Sequence, residues 1–196
     1  ILSAVICVED PLRAEAAEVI QGLRELGISK LVMMTGDNEK TARSVAEAVG
    51  LTEFHAGVLP EDKANYIRAE HAAGRKVIML GDGVNDSPAL SEADVGIAIR
   101  DGAAIAREVA DITVGADNLY GLLTLKKLSD ALMARIHHNY RFIISFNFML
   151  ICLGVAGILP PATSALLHNA STLMISLRSM TNLLSPESQL REDAGS

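Results

Sequence analysis

The sequence predicts an α/β fold, in which a parallel sheet with helices on both faces is followed by a hairpin of two apolar helices. Two observations lead to this prediction. Up to about residue 118, short apolar, β-branched runs alternate with amphipathic stretches, the order typical of βαβ units. Residues 142–177 contain no Asp, Glu, Lys or Arg, whereas a soluble globular surface of that length needs charge. The chain therefore divides near residue 142.

The first part contains six candidate strands, which are apolar without strict alternation, as expected for strands covered on both faces. They are residues 3–8, 30–34, 54–58, 76–80, 95–99 and 112–114. Helical patterns lie between them at about residues 14–26, 40–49, 61–73, 86–93 and 103–109. Three of these helices end at a glycine, which can adopt the left-handed conformation that terminates a helix: Gly27, Gly50 and Gly74.

A basic connecting helix is predicted at residues 119–141, between the sheet-containing part (residues 1–118) and the apolar region. Pro160-Pro161 divides the apolar region into two predicted membrane-spanning helices, at about 142–159 and 162–184. Basic residues precede the first helix and Arg178 closes the second, so the positive-inside rule places the α/β part in the cytoplasm. We expect an integral protein of a plasma or inner membrane, in contact with the lipid bilayer, with a disordered polar tail at residues 185–196.

Composition excludes several classes of protein. The net charge of −7 at pH 7 argues against a nucleic-acid partner. The two cysteines, Cys7 and Cys152, are too few for a disulfide framework or a cysteine-built zinc site. The chain opens on Ile1 rather than Met and has no signal segment at its start, which suggests a fragment or a processed chain.

An acidic, Gly-rich motif, GDGVNDSPAL at residues 81–90, follows the strand predicted at residues 76–80. Ligands of open parallel sheets bind outside the carboxyl ends of the strands. Asp82 and Asp86 are four residues apart and can converge on Mg²⁺, which prefers oxygen ligands. Gly83 permits close backbone approach, and Asn85 can donate its amide to a phosphoryl oxygen. A simple capping turn is the alternative interpretation of this motif.

Two further strand ends carry polar residues. Thr35, Gly36 and Asp37 follow the strand at residues 30–34, where a hydroxyl group beside a helix N-terminus suits a phosphate oxygen. The alternative is a plain turn with Asp37 or Asn38 as the N-cap. Lys63 lies in the first turn of the helix after the third strand, where its ammonium group could neutralise a phosphate or pair with a carboxylate. Taken alone, a solvated surface lysine is the favoured interpretation. Together these groups form a phosphoryl-transfer constellation.

In order and spacing, these motifs resemble those of the haloacid-dehalogenase superfamily, in the form found in P-type ATPases. With the helical hairpin, the chain resembles the carboxyl-terminal portion of a heavy-metal-transporting P-type ATPase. The resemblance implies a haloacid-dehalogenase-like Rossmannoid fold, ATP and Mg²⁺ as cofactors, and a transported transition-metal ion. It also implies roles for five residues: Thr35 and Lys63 at the aspartyl phosphate, Asp82 at Mg²⁺, and Asn85 and Asp86 completing the site.

One departure from the family pattern limits what this chain can do. The nucleophilic Asp-Lys-Thr-Gly-Thr motif does not occur in it, and no phosphoenzyme can form without a nucleophile. We therefore expect the chain alone to be inactive and to depend on the remaining domains of a pump, including the nucleotide-binding domain. Two alternatives stay open: a membrane-anchored phosphatase of the same superfamily, for which Asp10 would be the candidate aspartate, and a non-catalytic, membrane-anchored α/β module.

Polar residues in the apolar region are candidate ligands of the transported ion, since polar groups inside membrane helices are costly. Asn147 resembles the transport-site Asn of copper pumps. His168 is at helical spacing from Ser171 and Thr172, which places N and O ligands on one face and favours a borderline divalent ion over Cu(I). Hydrogen bonding between helices is the alternative for Asn147, Ser171 and Thr172.

Overall fold

The computed structural model describes residues 12–81, 85–99, 109–115 and 119–183. These residues form two compact units, with the boundary between Leu123 and Thr124. We call the described residues up to Leu123 the α/β unit and those from Thr124 onward the hairpin unit.

The α/β unit alternates helices and strands along the chain, as predicted. Its elements are α1 (Ala16–Glu25), β1 (Val32–Met34), α2 (Glu39–Ala48), β2 (Glu53–His55), α3 (Pro60–Ala72), β3 (Ile78–Gly81), α4 (Ser87–Glu92), β4 (Val95–Ile99) and β5 (Ile112–Val114). The described strands form two sheets, β1-β2 and β3-β4-β5, rather than the single predicted sheet. Every pairing is parallel, which confirms the predicted strand direction. The strand predicted at residues 3–8 and most of the helix predicted at 103–109 lie outside the described residues.

The strand predicted at residues 54–58 is shifted and shortened, because β2 ends at His55. Two residues later Gly57 has a φ of +64° and donates its amide to the carbonyl oxygen of Asp37 at 2.8 Å. The backbone therefore turns toward the end of β1 instead of continuing as a strand. The predicted helix ends are confirmed, since Gly27, Gly50 and Gly74 all have positive φ.

The core of the α/β unit lies where α3 and α4 pack against each other and α4 packs on β3 and β4. Ile67 of α3 is 2% exposed and Leu90 of α4 is 1% exposed. Ile97 and Ala98 of β4 are also buried. This packing fixes the start of α4 next to α3, and the candidate site is built there.

The hairpin unit consists of most of α5 (Tyr120–Val155) and all of α6 (Pro161–Ser179). The connecting helix predicted at residues 119–141 and the apolar helix predicted at about 142–159 form one continuous helix of 36 residues, α5. Residues 122–153 contain neither Gly nor Pro, so nothing in them ends a helix. The turn between the helices contains Gly157, whose φ is +71°, and Pro161 is the first residue of α6.

In the part of the chain that the structure describes, no helix combines the length and the apolar character needed to cross a membrane.

Candidate functional site

Thr35 continues the pairing of β1 with the end of β2. Its amide donates to the carbonyl oxygen of His55 at 2.9 Å, and its carbonyl oxygen accepts from the amide of Val58 at 3.0 Å. The Thr35 hydroxyl group accepts from the Asp37 amide at 3.1 Å and donates to Asp37 Oδ2 at 3.0 Å. Thr35, Gly36 and Asp37 thus form a closed polar turn at the carboxyl end of β1.

The N-terminus of α2 follows this turn directly. Asn38 is the N-cap, and its side-chain oxygen accepts from the Thr41 amide at 3.0 Å. Of the two capping residues that the sequence allowed, the structure therefore selects Asn38. The Asp37 carboxylate accepts a hydrogen bond from the Thr35 hydroxyl instead. Asn38 therefore caps α2, and Asp37 belongs to the turn with Thr35.

The N-terminus of α3 presents Lys63 toward the start of α4. Asp62 accepts from the Leu59 amide through Oδ2 at 3.1 Å, a local cap that the sequence analysis missed, although an acid in the first helical turn is its usual signal. Lys63 Nζ donates to Asp86 Oδ1 at 2.7 Å. The Lys63 and Asp86 side chains are only 13% and 11% exposed. A buried charge is stable only when it is paired, so each group holds the other in place.

Gly81 is the last residue of β3 and leaves room for this ion pair. A Cβ atom at position 81 would lie 2.6 Å from Asp86 Oδ2 and 2.7 Å from Asp86 Cβ, distances that real side chains do not tolerate. Asn85 is exposed beside the pair, whereas Asp82 and Gly83 lie outside the described residues.

The structure therefore brings some of the predicted site residues together. Lys63 and Asp86, 23 residues apart in the chain, are in direct contact. Thr35 is tied by its backbone to Val58, next to the first residues of α3. A cleft of about 800 Å³ opens beside the Thr35 turn and is lined in part by Asp37, His55 and Tyr66. Within the described residues, no group of three or more His, Cys, Asp and Glu side chains is placed to hold a metal ion.

A charged cluster that the sequence analysis missed joins α3 to β2 and to the chain before β1. Lys30 Nζ lies 3.0 Å from Glu70 Oε1 and 3.1 Å from Glu53 Oε1. Tyr66 donates its hydroxyl to Glu53 Oε1 at 2.6 Å, and Arg75 pairs with Glu70. Lys30 is 40 residues from Glu70, and Tyr66 is 13 residues from Glu53, so no local pattern indicates these contacts.

The cluster shifts the pKa values of its members. Arg75 first, and then Lys30, lower the pKa of Glu70 from 4.5 to about 2. The Tyr66 hydroxyl is the largest of the causes that lower the pKa of Glu53. Tyr66, Glu70 and Glu53 together raise the pKa of Lys30. The cluster thus stays charged over the physiological pH range and anchors α3, the helix that carries Lys63.

The candidate ion ligands lie in the hairpin unit. His168 Nδ1 is 2.8 Å from Asn147 Oδ1, so the structure brings these two predicted residues together across the hairpin. The hydroxyl groups of Ser171 and Thr172 both donate to the carbonyl oxygen of His168, at 2.8 and 3.1 Å.

Comparison with known proteins supports the predicted fold and the family resemblance. Residues 2–94 match the family described as haloacid dehalogenase-like hydrolase. Just under half of the chain thus resembles the haloacid dehalogenase-like hydrolases, and the parallel strands of the α/β unit agree with the fold that this resemblance implies.

Individual proteins similar to this chain are metal-transporting ATPases. Over 175 residues, 89% of this chain, it is 41% identical to a zinc-exporting P-type ATPase of Mycobacterium marinum and 41% identical to a manganese-exporting P-type ATPase of Mycobacterium leprae. It is 42% identical over 166 residues to copper-transporting ATPase 2 of Rhizobium meliloti. The chain spans a fifth to a quarter of the length of these relatives, 24%, 24% and 20% in the order given.

A solved structure of a metal-transporting ATPase is also similar to this chain. The crystal structure of a zinc-transporting PIB-type ATPase matches 90% of this chain and 29% of its own, with a TM-score of 0.79 and 33% identity. The resemblance inferred from the motifs is confirmed: the chain matches part of the phosphorylation domain of the heavy-metal P-type ATPases.

Proposed function

We propose that this chain supplies the phosphate- and magnesium-binding half of the phosphorylation site in an ATP-driven heavy-metal cation pump. The observation that carries the proposal is the buried contact between Lys63 and Asp86 at the end of β3. The relatives are named for export or transport of zinc, manganese and copper, so the proposed cargo is a transition-metal cation.

Lys63 and Thr35 are the proposed phosphate ligands. The Lys63 ammonium group has three hydrogen-bond donors, and Asp86 Oδ1 occupies one of them. The remaining donors can contact a phosphoryl group without breaking the pair. Thr35 would offer its hydroxyl from the turn after β1, and Asn85 its amide. The aspartyl nucleophile and the residues that bind ATP would belong to parts of the pump that this sequence does not contain.

Magnesium is proposed at Asp82 and Asp86. Asp86 fits this role, because it is a buried carboxylate with one oxygen on Lys63, and Mg²⁺ is bound through carboxylates together with substrate phosphate. When bound, Mg²⁺ would neutralise negative charge on the phosphoryl group.

The hairpin unit is proposed as a helix pair of the pump inside the lipid bilayer, with the α/β unit in the cytoplasm. Large apolar side chains on both of its helices lie open: Phe148 is 67% exposed, Val155 86% and Met174 67%. Exposed apolar area of this kind marks a surface that contacts lipid or other protein. Asn147, His168, Ser171 and Thr172 are the proposed contributors to the ion path.

A chimera tests the phosphorylation proposal. The 175 matching residues of the Mycobacterium marinum pump are replaced by those of this chain, and acid-stable phosphoenzyme is measured with labelled ATP and a panel of Zn²⁺, Mn²⁺, Co²⁺ and Cu⁺. In this chimera we expect Lys63→Met to lower labelling by about 100-fold or more, the usual cost of losing one charge-stabilising donor.

Lys40→Met is the matched control, since it removes the same charge from an exposed position on α2 and should stay within about twofold of the unmodified chimera. Equal labelling of the Lys63 and Lys40 variants contradicts the proposed role of Lys63. Failure of the unmodified chimera to label with any ion, despite correct folding and membrane insertion, contradicts the proposed function itself.

A further inference from the structure

The hydrogen bond between Asn147 and His168 assigns the tautomer of the histidine. Asn147 Oδ1 is an amide oxygen and can only accept a hydrogen bond. Because it lies 2.8 Å from His168 Nδ1, the hydrogen between them belongs to Nδ1. A neutral imidazole carries one N–H, so His168 Nε2 is left with a free lone pair.

The two hydroxyl groups near His168 do not compete for this ring. Ser171 and Thr172 donate to the backbone oxygen of His168, so their hydrogens are directed at the helix rather than at the imidazole. Their oxygen lone pairs stay available. His168 is itself exposed on α6, so ligands from outside the hairpin can approach it.

We infer that Asn147 is a positioning residue rather than a ligand, and that His168 Nε2 is the atom that coordinates a borderline divalent cation such as Zn²⁺ or Co²⁺. In metal sites, the group bonded to the second ring nitrogen fixes the tautomer and the ring orientation of a ligating histidine. Asn147 has that relation to His168. The biological meaning of the inference rests on the proposed pump function, but the tautomer does not.

The tautomer can be measured on the purified chain in detergent micelles with ¹⁵N-labelled histidine. Two-bond ¹H–¹⁵N correlation spectra at pH 8 separate protonated from unprotonated ring nitrogens, and His168→Gln identifies the His168 signals. We expect the Nδ1–H form in the wild type and in Asn147→Asp, which keeps an acceptor oxygen. In Asn147→Leu we expect the population to shift to the Nε2–H form.

Asn169→Leu is the control, because it removes an exposed amide one residue from His168 and should leave the tautomer unchanged. An Nε2–H form in the wild type, or an unchanged Nδ1–H form in Asn147→Leu, overturns the inference.

A titration with Zn²⁺ tests the ligand atom in the same samples. We expect Zn²⁺ to shift the Nε2 resonance of His168 in the wild type and in Asn147→Asp. Affinity should fall by about 10- to 100-fold in Asn147→Leu, the usual cost of losing the partner of a ligating histidine. A response at Nδ1, or none at His168, overturns the assignment of Nε2 as the ligand. These spectra need neither ATP nor a phosphoenzyme, so their failure is distinct from a failure of the pump proposal.

Discussion

The α/β unit and the hairpin unit differ in how much side-chain area each can bury by itself. Ile67 and Leu90 in the α/β unit are almost completely enclosed, at 2% and 1% exposure. In α6 no residue is buried. In the described part of the hairpin unit as a whole, one apolar residue is buried, Leu150 of α5. The α/β unit therefore has its own apolar core, whereas the hairpin unit depends on surroundings that cover its apolar faces.

The two units also use polar contacts differently. In the α/β unit, the charged cluster around Glu70 anchors a helix that an apolar core already holds. In the hairpin unit, polar contacts join the helices directly. Arg135 donates to the carbonyl oxygens of Ser179, Thr181 and Asn182 at 3.3, 2.6 and 2.9 Å, and Asn139 donates to Ser179 Oγ at 3.1 Å. The carbonyl groups that end a helix lack intrahelical partners. Arg135 satisfies that of Ser179, the last residue of α6, and two more in the segment that follows the helix.

The largest difference between the units should appear when an isoleucine is truncated in each. Ile67→Ala should lower the free energy of unfolding of the α/β unit by about 3 kcal/mol, because it leaves a cavity in an enclosed core. Ile151 is 64% exposed, so Ile151→Ala in α5 should change stability by less than about 0.5 kcal/mol. Urea unfolding of the chain in micelles, followed by amide NMR signals of each unit, measures both. Equal losses would contradict the contrast in burial.

A smaller effect is expected from adding a methyl group to a glycine in each unit. A Cβ atom at Gly96 would lie 2.8 Å from the backbone oxygen of Leu90, so Gly96→Ala must separate β4 from α4. This crowding should cost about 2 kcal/mol.

Gly154 near the end of α5 is the matched control, since a Cβ atom there meets nothing within 4 Å. Gly154→Ala should stabilise the helix by up to about 1 kcal/mol. The same urea series applies, and a stable Gly96→Ala protein would show that the contact between α4 and β4 yields easily.

The smallest expected effect is a pH dependence of stability, which the Glu70→Gln variant tests. A carboxyl group whose pKa is lowered by folding stabilises the protein fully above its unfolded pKa, here about 4.5, and loses that contribution as the pH falls through its folded pKa of about 2. Wild type should therefore exceed Glu70→Gln in urea midpoint at pH 6, and the gap should close between pH 4.5 and pH 2. A gap that stays constant from pH 6 to pH 2 would contradict this role of Glu70.

Much of the α/β unit could be predicted because its signals are local. Short apolar runs between amphipathic stretches indicate the strands, and glycines with positive φ end the helices where expected. The error at β2 arose because residues 56–58 are apolar enough for a strand, while a hydrogen bond between Gly57 and Asp37 turns the chain. That bond joins segments about 20 residues apart, and no local pattern encodes it.

The candidate site was predictable in its residue types but less so in its contacts. The strand ends of a single parallel sheet would converge, which indicated Thr35, Lys63 and Asp86 together. In the described residues β1 and β3 lie in separate sheets, and the side-chain contact that forms is that of Lys63 with Asp86. The direct ion pair between Lys63 and Asp86 depends on how α3 packs against α4. The charged cluster depends instead on the contacts of α3 with Lys30 and Glu53. The bond between Asn147 and His168 likewise depends on the register of two helices, which the sequence leaves open.

Gly81 links two positions of this site in the substitutions that each can accept. A Cβ atom at position 81 would lie 2.6 Å from Asp86 Oδ2 and 2.7 Å from Asp86 Cβ. The second contact remains with any residue other than glycine at position 86, so removing the carboxylate alone does not make room for a side chain at position 81. A substitution of Gly81 therefore displaces the backbone that carries Asp86, the partner of Lys63. The two positions are epistatic, since what position 81 accepts depends on where the chain places position 86.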